Sequence, residues 1–114
     1  HKTQTYRGYC LLIFDPRHVT ELTQLNDDER TALVADLCRA QDVLRKVVRP
    51  DHFNLESLGN AIPHLHWHII PRYRNVPRWG LPVWMTGEAE MPRITLPEKE
   101  RALLLRQLKD AVGV

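Results

Sequence analysis

The sequence predicts an α+β fold, with an antiparallel sheet and two main helices. Three observations predict it. Apolar runs of strand length alternate with turn residues. Two segments repeat their apolar positions at helical spacing. The connections are short, as antiparallel pairing allows, whereas parallel strands need long crossovers.

The elements follow in order. Residues 1–8 are polar and end at Gly8. Tyr9 to Phe14 is a continuous apolar run, read as a buried strand. Asp15-Pro16-Arg17-His18 turns the chain, because proline cannot donate to a ladder. Asn26 can cap a helix, with Glu29 three residues on to close a capping box. Leu33, Val34, Leu37, Cys38, Ala40, Val43, Leu44 and Val47 then recur at helical spacing. Arg45, Lys46 and Arg49 suit the negative end of the helix dipole, and Pro50 stops the helix. Phe53 to Leu58 reads as a second strand, Gly59-Asn60 as a turn, and Leu65 to Tyr73 as a third strand. Five of the eight prolines fall between Pro71 and Pro97, which predicts a long irregular surface segment. Pro97 and Glu98 open a final amphipathic helix through Leu103, Leu104, Leu108 and Ala111, with Gly113 at its C-cap.

Composition narrows the classes. At 114 residues the chain fits one domain, 1–114, with about two-thirds of its unfolded surface buried on folding. It is 43% hydrophobic and 26% charged, a globular mix that excludes disordered and fibrous classes. No apolar run approaches the roughly 20 residues of a membrane helix, so no membrane partner is expected. A net charge of +2 is too balanced to predict a DNA or RNA polymer as partner. The basic residues are mostly arginine, 12 against 4 lysines, and the guanidinium fork suits phosphate or carboxylate. Cys10 and Cys38 lie in apolar contexts and read as free buried thiols, which fits a reducing, cytoplasmic compartment. The chain begins at His1 without methionine, so N-terminal trimming is expected.

One segment carries the chemistry: Pro63-His64-Leu65-His66-Trp67-His68-Ile69-Ile70-Pro71-Arg72. Alternate residues of a strand share a face, so His64, His66 and His68 should point one way and Leu65, Trp67 and Ile69 the other. Three readings compete. A polar strand face without a role leaves three alternating histidines unexplained. A metal site is served by imidazole, but the outer two ligands are about 13 Å apart along a strand, and no cysteine or carboxylate close by completes the shell. No metal or other cofactor is therefore expected. The third reading is covalent catalysis: neutral imidazole is a good nucleophile toward phosphorus or carbonyl carbon, and its neighbours can orient it and carry protons.

His64-Leu65-His66-Trp67-His68-Ile69-Ile70 matches the pattern His-φ-His-φ-His-φ-φ without a gap, and the sequence resembles the histidine triad (HIT) superfamily of nucleotide hydrolases and transferases. The resemblance extends over roughly residues 5–85. It takes in the strand Cys10–Phe14 followed by proline, a basic residue and His18, then the helix, the Asn54 strand, Gly59-Asn60, and Arg78-Trp79-Gly80-Leu81-Pro82.

The resemblance implies a mechanism. His66 would attack the α-phosphate of a nucleoside 5′-phosphate derivative, either a dinucleoside polyphosphate or a nucleoside phosphoramidate. A nucleotidyl-histidine would form, and water would release the monophosphate. His64 and His68 would flank it, binding phosphate oxygens or tuning protonation. Asn60 stands where many members carry a phosphate-contacting glutamine, although a plain turn residue beside Gly59 is an equal reading. Asn54 resembles an upstream asparagine of the family. A homodimer is implied as well, with the sheet continuing between subunits.

Two departures stand out. Ala61 replaces a serine or threonine that many members carry, which puts rapid phosphoramidate cleavage in doubt, and Cys10 stands where many carry a histidine. They keep a second class open, a nucleotide-binding module with little turnover. Among the remaining candidates, His18 reads as an orienter of the triad or as a strand-end residue. Arg72, Arg74 and Arg78 read as polyphosphate contacts or a solvated face. Trp79 and Trp84 read as base-stacking platforms or dimer packing.

Overall fold

The computed structural model describes residues 1–87 and 93–113. Its architecture is α+β, as the sequence predicts, with three strands and two α-helices among the described residues. The strands are β1 (Cys10–Ile13), β2 (His52–Glu56) and β3 (His66–Arg72), and the helices are α1 (Asp27–Val48) and α2 (Glu98–Val112). The sheet order is β1-β3-β2, antiparallel throughout. The strand that carries the histidines is therefore central.

Helix α1 starts where its capping box demands. Asn26 Oδ1 accepts from the Glu29 amide at 2.8 Å, and the Glu29 carboxylate accepts from the Asn26 amide at 2.9 Å. Asp27, Asp28 and Glu29 fill the first turn and Arg45 and Lys46 the last, each complementing the dipole. The helix ends at Val48, with Arg49 in the left-handed region ahead of Pro50. Helix α2 ends at Gly113, also left-handed at φ 89°, as its position predicts.

The sheet has two unlike faces. Trp67 and Ile69 of β3, Cys10 and Leu12 of β1 and Phe53 of β2 pack with Leu37, Leu44 and Val48 of α1 and Leu104 of α2. Ile69 is 1% exposed and Leu44 2%; burying each contributes about 2 kcal/mol or more. A second cluster on this face joins Leu65 to Phe14, Val19, Leu25 and Leu33. The opposite face carries His66, His68, Ile70 and Arg72. Register sets Leu11 and Glu56 on either side of His68, and Asn54 beside Ile70. Tyr6, Tyr9 and Val83 cover Ile70 in a small third cluster.

Strand boundaries differ from the sequence reading because of particular hydrogen bonds at their ends. The second strand starts early because Asp51 N–H already donates to the Arg72 carbonyl. It stops at Glu56 because the Ser57 hydroxyl, not a backbone amide, reaches the His66 carbonyl. The third strand starts at His66, so His64 precedes it: Leu65 N–H is taken by the Val19 carbonyl and its own carbonyl by Phe14 N–H. The proline-rich segment is irregular over its described part except for a 3-10 turn at Val83–Met85; residues 88–92 of it lie outside the described residues. Both cysteines are free, but Cys38 is exposed on α1 rather than buried. Its helical position follows the apolar stripe without reaching the sheet. Among the described residues, no helix is long and apolar enough to cross a membrane.

Candidate active site

The three histidines are held differently, and for His66 and His64 a carbonyl partner fixes the proton. His66 Nδ1 lies 2.6 Å from the His64 carbonyl oxygen. A carbonyl can only accept, so Nδ1 carries the hydrogen, and neutral His66 keeps a bare lone pair on Nε2. His64 Nε2–H donates to the Phe14 carbonyl. By the same rule neutral His64 Nδ1 is an acceptor, and His18 Nδ1–H donates to it at 2.9 Å, with the rings stacked at 5.1 Å. The sequence offers His18 two roles, and the structure brings it against the triad. His64 joins the site from the bend before β3 rather than from the strand itself, so only His66 and His68 are related by strand alternation. Their ring centroids are 5.1 Å apart.

His68 has the richest surroundings. Its Nδ1 lies 2.6 Å from the Tyr9 hydroxyl. Trp84 meets the ring edge-on at 5.5 Å, and Trp84 Nε1–H donates to the carboxylate of Glu56, which stands across from His68 in the ladder. Burial, and then the neighbouring His66, hold the His68 pKa below the usual imidazole value, with Glu56 opposing. Burial, reinforced by Glu56, pushes the Tyr9 phenol up to about 12, so it stays neutral. Tyr9 reaches this place because of Gly8. At φ 93°, Gly8 passes so close to α1 that a Cβ would sit 3.0 Å from a Val48 methyl carbon.

Arg72, two turns of the pleat beyond Ile70's neighbour His68, has a different task. It is 3% exposed. Its Nη1 donates to Asn54 Oδ1, and its Nη2 reaches the carbonyls of Arg78, Trp79 and Leu81 at 2.9–3.2 Å. Arg72 is thus a tie between the sheet and the 78–81 loop, not a solvated arginine. Asn54 spends its oxygen on that tie while lining a groove of about 350 Å³ with Glu56, Arg72 and Trp79. Trp79 packs edge-on against His52 at 6.5 Å, under the Arg74 guanidinium. His52 pairs with Arg72, six residues and about 20 Å along the strand from His66. Asn60 lies on the exposed connection between β2 and β3.

The structure therefore gathers His18, His64, His66 and His68, places Asn54 and Trp79 toward the Arg72 end, and leaves Asn60 on the rim. Cys10 turns into the core, where burial raises its thiol pKa. Its neighbour Tyr9 is the residue that reaches the triad. Tyr9 and Glu56 are the site residues that sequence reasoning missed. Glu56 shares alternation with Asn54, a legible signal, but only the register sets it opposite His68. A larger cavity of about 550 Å³, between the N-terminal segment and α2, touches none of the three histidines. Among the described residues, no cluster of three His, Cys, Asp or Glu side chains is arranged to hold a metal.

Comparison with known proteins points the same way as the motif. The family model described as HIT domain matches residues 1–75. AP-4-A phosphorylase of Mycobacterium tuberculosis is 35% identical over 74 residues, 60% of this chain and 38% of that protein. Bis(5'-nucleosyl)-tetraphosphatase (asymmetrical) of Schizosaccharomyces pombe is 33% identical over 67 residues, 54% and 37% of the two chains. The chain spans well under half the length of these curated relatives. Among solved structures, a histidine triad protein from Bradyrhizobium japonicum has a TM-score of 0.85 at 25% identity, covering 97% of this chain and 79% of that one. A second, from Marinobacter aquaeolei VT8, has a TM-score of 0.83 at 23% identity, covering 97% and 77%.

Proposed function

Because this chain belongs to the histidine triad (HIT) family, we propose that it is a nucleotide hydrolase or nucleotidyl transferase with His66 as its nucleophile. One observation carries the reading: the 2.6 Å bond from His66 Nδ1–H to the His64 carbonyl leaves Nε2 of the neutral ring unprotonated, with its lone pair free. The Nε2 lone pair attacks the α-phosphorus of a nucleoside 5′-phosphate derivative. The bond to the leaving phosphate breaks, and its electron pair departs on that oxygen. The His66 ring gains positive character, which the His64 carbonyl stabilises through Nδ1–H. An acceptor oxygen then attacks the nucleotidyl-histidine, the P–N bond breaks, and the pair returns to Nε2. A water acceptor releases its proton to solvent.

His68 binds phosphoryl oxygens beside the nucleophile, and His64 orients His66 through its carbonyl while both of its own ring nitrogens are taken by Phe14 and His18. Asn60 and Asn54 contact phosphate or ribose, and the groove beside Asn54 and Trp79 takes a distal part of the substrate. The names of the curated relatives make dinucleoside tetraphosphates the first substrates to try. One is a phosphorylase and the other a tetraphosphatase, so phosphate and water are both acceptors to test. The proposal includes a homodimer, with Leu11 and Ile13 of the edge strand β1, 41% and 56% exposed, at or near the contact.

The test is turnover of diadenosine tetraphosphate, with and without phosphate, by the wild type and by His66→Ala. Mass spectrometry under mildly alkaline quench looks for an acid-labile nucleotidyl adduct. Turnover by the wild type alone, with the adduct on His66, supports the reading. A wild type that binds AMP but turns over neither this substrate nor adenosine phosphoramidate would overturn it in favour of a nucleotide-binding module.

A further inference from the structure

We propose that Tyr9 is a positioning residue whose hydroxyl donates to His68 Nδ1, so that His68 presents Nε2–H beside the bare Nε2 of His66. The inference rests on the function proposed above and assigns a role to a residue outside the triad motif.

The geometry supplies the argument. The Tyr9 hydroxyl is 2.6 Å from His68 Nδ1, and the Tyr9 side chain is fixed in the cluster of Tyr6, Ile70 and Val83. The groups that face His68 are Tyr9 from the segment before β1, Leu11 from β1, Glu56 from β2, His66 from β3 and Trp84 from the turn at Val83–Met85. The Glu56 carboxylate already accepts from Trp84 Nε1–H. Burial favours the neutral form of both Tyr9 and His68. A neutral phenol has one strong donor and a neutral imidazole one strong acceptor. With the phenol hydrogen on Nδ1, the imidazole hydrogen sits on Nε2, on the opposite side of the ring. Two histidines of the same strand face thus hold opposite tautomers: the His64 carbonyl bares Nε2 of His66, and the Tyr9 hydroxyl protonates Nε2 of His68. The first attacks phosphorus. The second donates a hydrogen bond to the oxygen on which charge accumulates as the leaving group departs, without giving up its proton.

Tyr9→Phe removes the hydroxyl and keeps the ring in its cluster. Two measurements test the proposal. Long-range proton–nitrogen NMR reads the His68 tautomer, its signals assigned by their loss in His68→Asn. Steady-state kinetics compares a nucleoside 5′-phosphate ester of nitrophenol, a good leaving group, with one of a simple alcohol, a poor one. Wild-type His68 should carry its hydrogen on Nε2, and Tyr9→Phe should show a mixture of tautomers. The variant's kcat should fall about tenfold on the poor leaving group and stay within about twofold on the good one, with KM unchanged, the size expected for one hydrogen bond to developing charge. A wild-type His68 protonated on Nδ1, or an equal fall on both substrates, overturns the proposal. If the wild type cleaves neither ester while His68 carries Nε2–H and Tyr9→Phe shows the mixture, the function reading has failed and the hydroxyl's control of the tautomer stands.

Discussion

His66 and Arg72 occupy the same face of the same strand, yet they are held in opposite ways. Arg72 is almost wholly buried and shares its guanidinium hydrogens among one amide oxygen and three carbonyls. Every hydrogen bond it makes is internal, so the group serves the fold. His66 is half-buried and bonded through one nitrogen only. Its other nitrogen remains available to a ligand. A polar side chain on a sheet face becomes structural when its partners use it up, and chemical when they leave one atom over.

Substitutions at the two ends should separate these roles. The largest effect belongs to His66. His66→Ala should lower turnover by at least about a thousandfold, as removing a nucleophile does, while the urea unfolding midpoint stays near that of the wild type. A variant that keeps a tenth of the activity would sink the comparison. Arg72→Met is the mirror experiment. It strands several buried acceptors and should lower unfolding free energy by about 3 kcal/mol. Arg72→Lys should recover only part of this, because an ammonium cannot span the same four partners. Equal stability of Arg72→Met and wild type would show that the loop does not depend on the tie.

Asn54→Ala sharpens the boundary between the two regions. Through Arg72 it should cost about 1 kcal/mol of stability. A rise in KM beyond that would place Asn54 in substrate contact as well as in the tie. The smallest effect concerns pH. Folding lowers the His68 pKa below its ordinary value of 6.5, so the unfolded chain binds the proton more readily. Stability from this group is therefore intact above that value and declines as pH falls below it. His68→Asn should flatten the slope of stability between about pH 7 and pH 5. An unchanged slope would mean that His68 titrates alike in both states.

Much of this was legible in the residues. Asn26 and Glu29 mark the start of α1 because a cap is a local contract among four residues, and Gly113 marks the end of α2 for the same reason. The triad histidines announce themselves by alternation. The limits of that reading are long-range. His64 breaks from the strand because Leu65 bonds to residues 14 and 19, some fifty positions earlier in the chain. Trp79 and Trp84 look equivalent in sequence, but one packs on His52 and the other on His68. Cys10 and Tyr9 are neighbours, and only the pairing of β1 with β3 decides which of them turns toward the site.

The sequence by itself determined the fold class, the helix caps and the strand that carries the alternating histidines, because each depends on contacts within a few residues or on a period of two or 3.6. The proton on His64, the hydroxyl partner of His68, the burial of Arg72 and the reach of Tyr9 were decided by tertiary structure alone. Each depends on which carbonyl or hydroxyl a distant segment brings within hydrogen-bond range, and no local pattern encodes that distance.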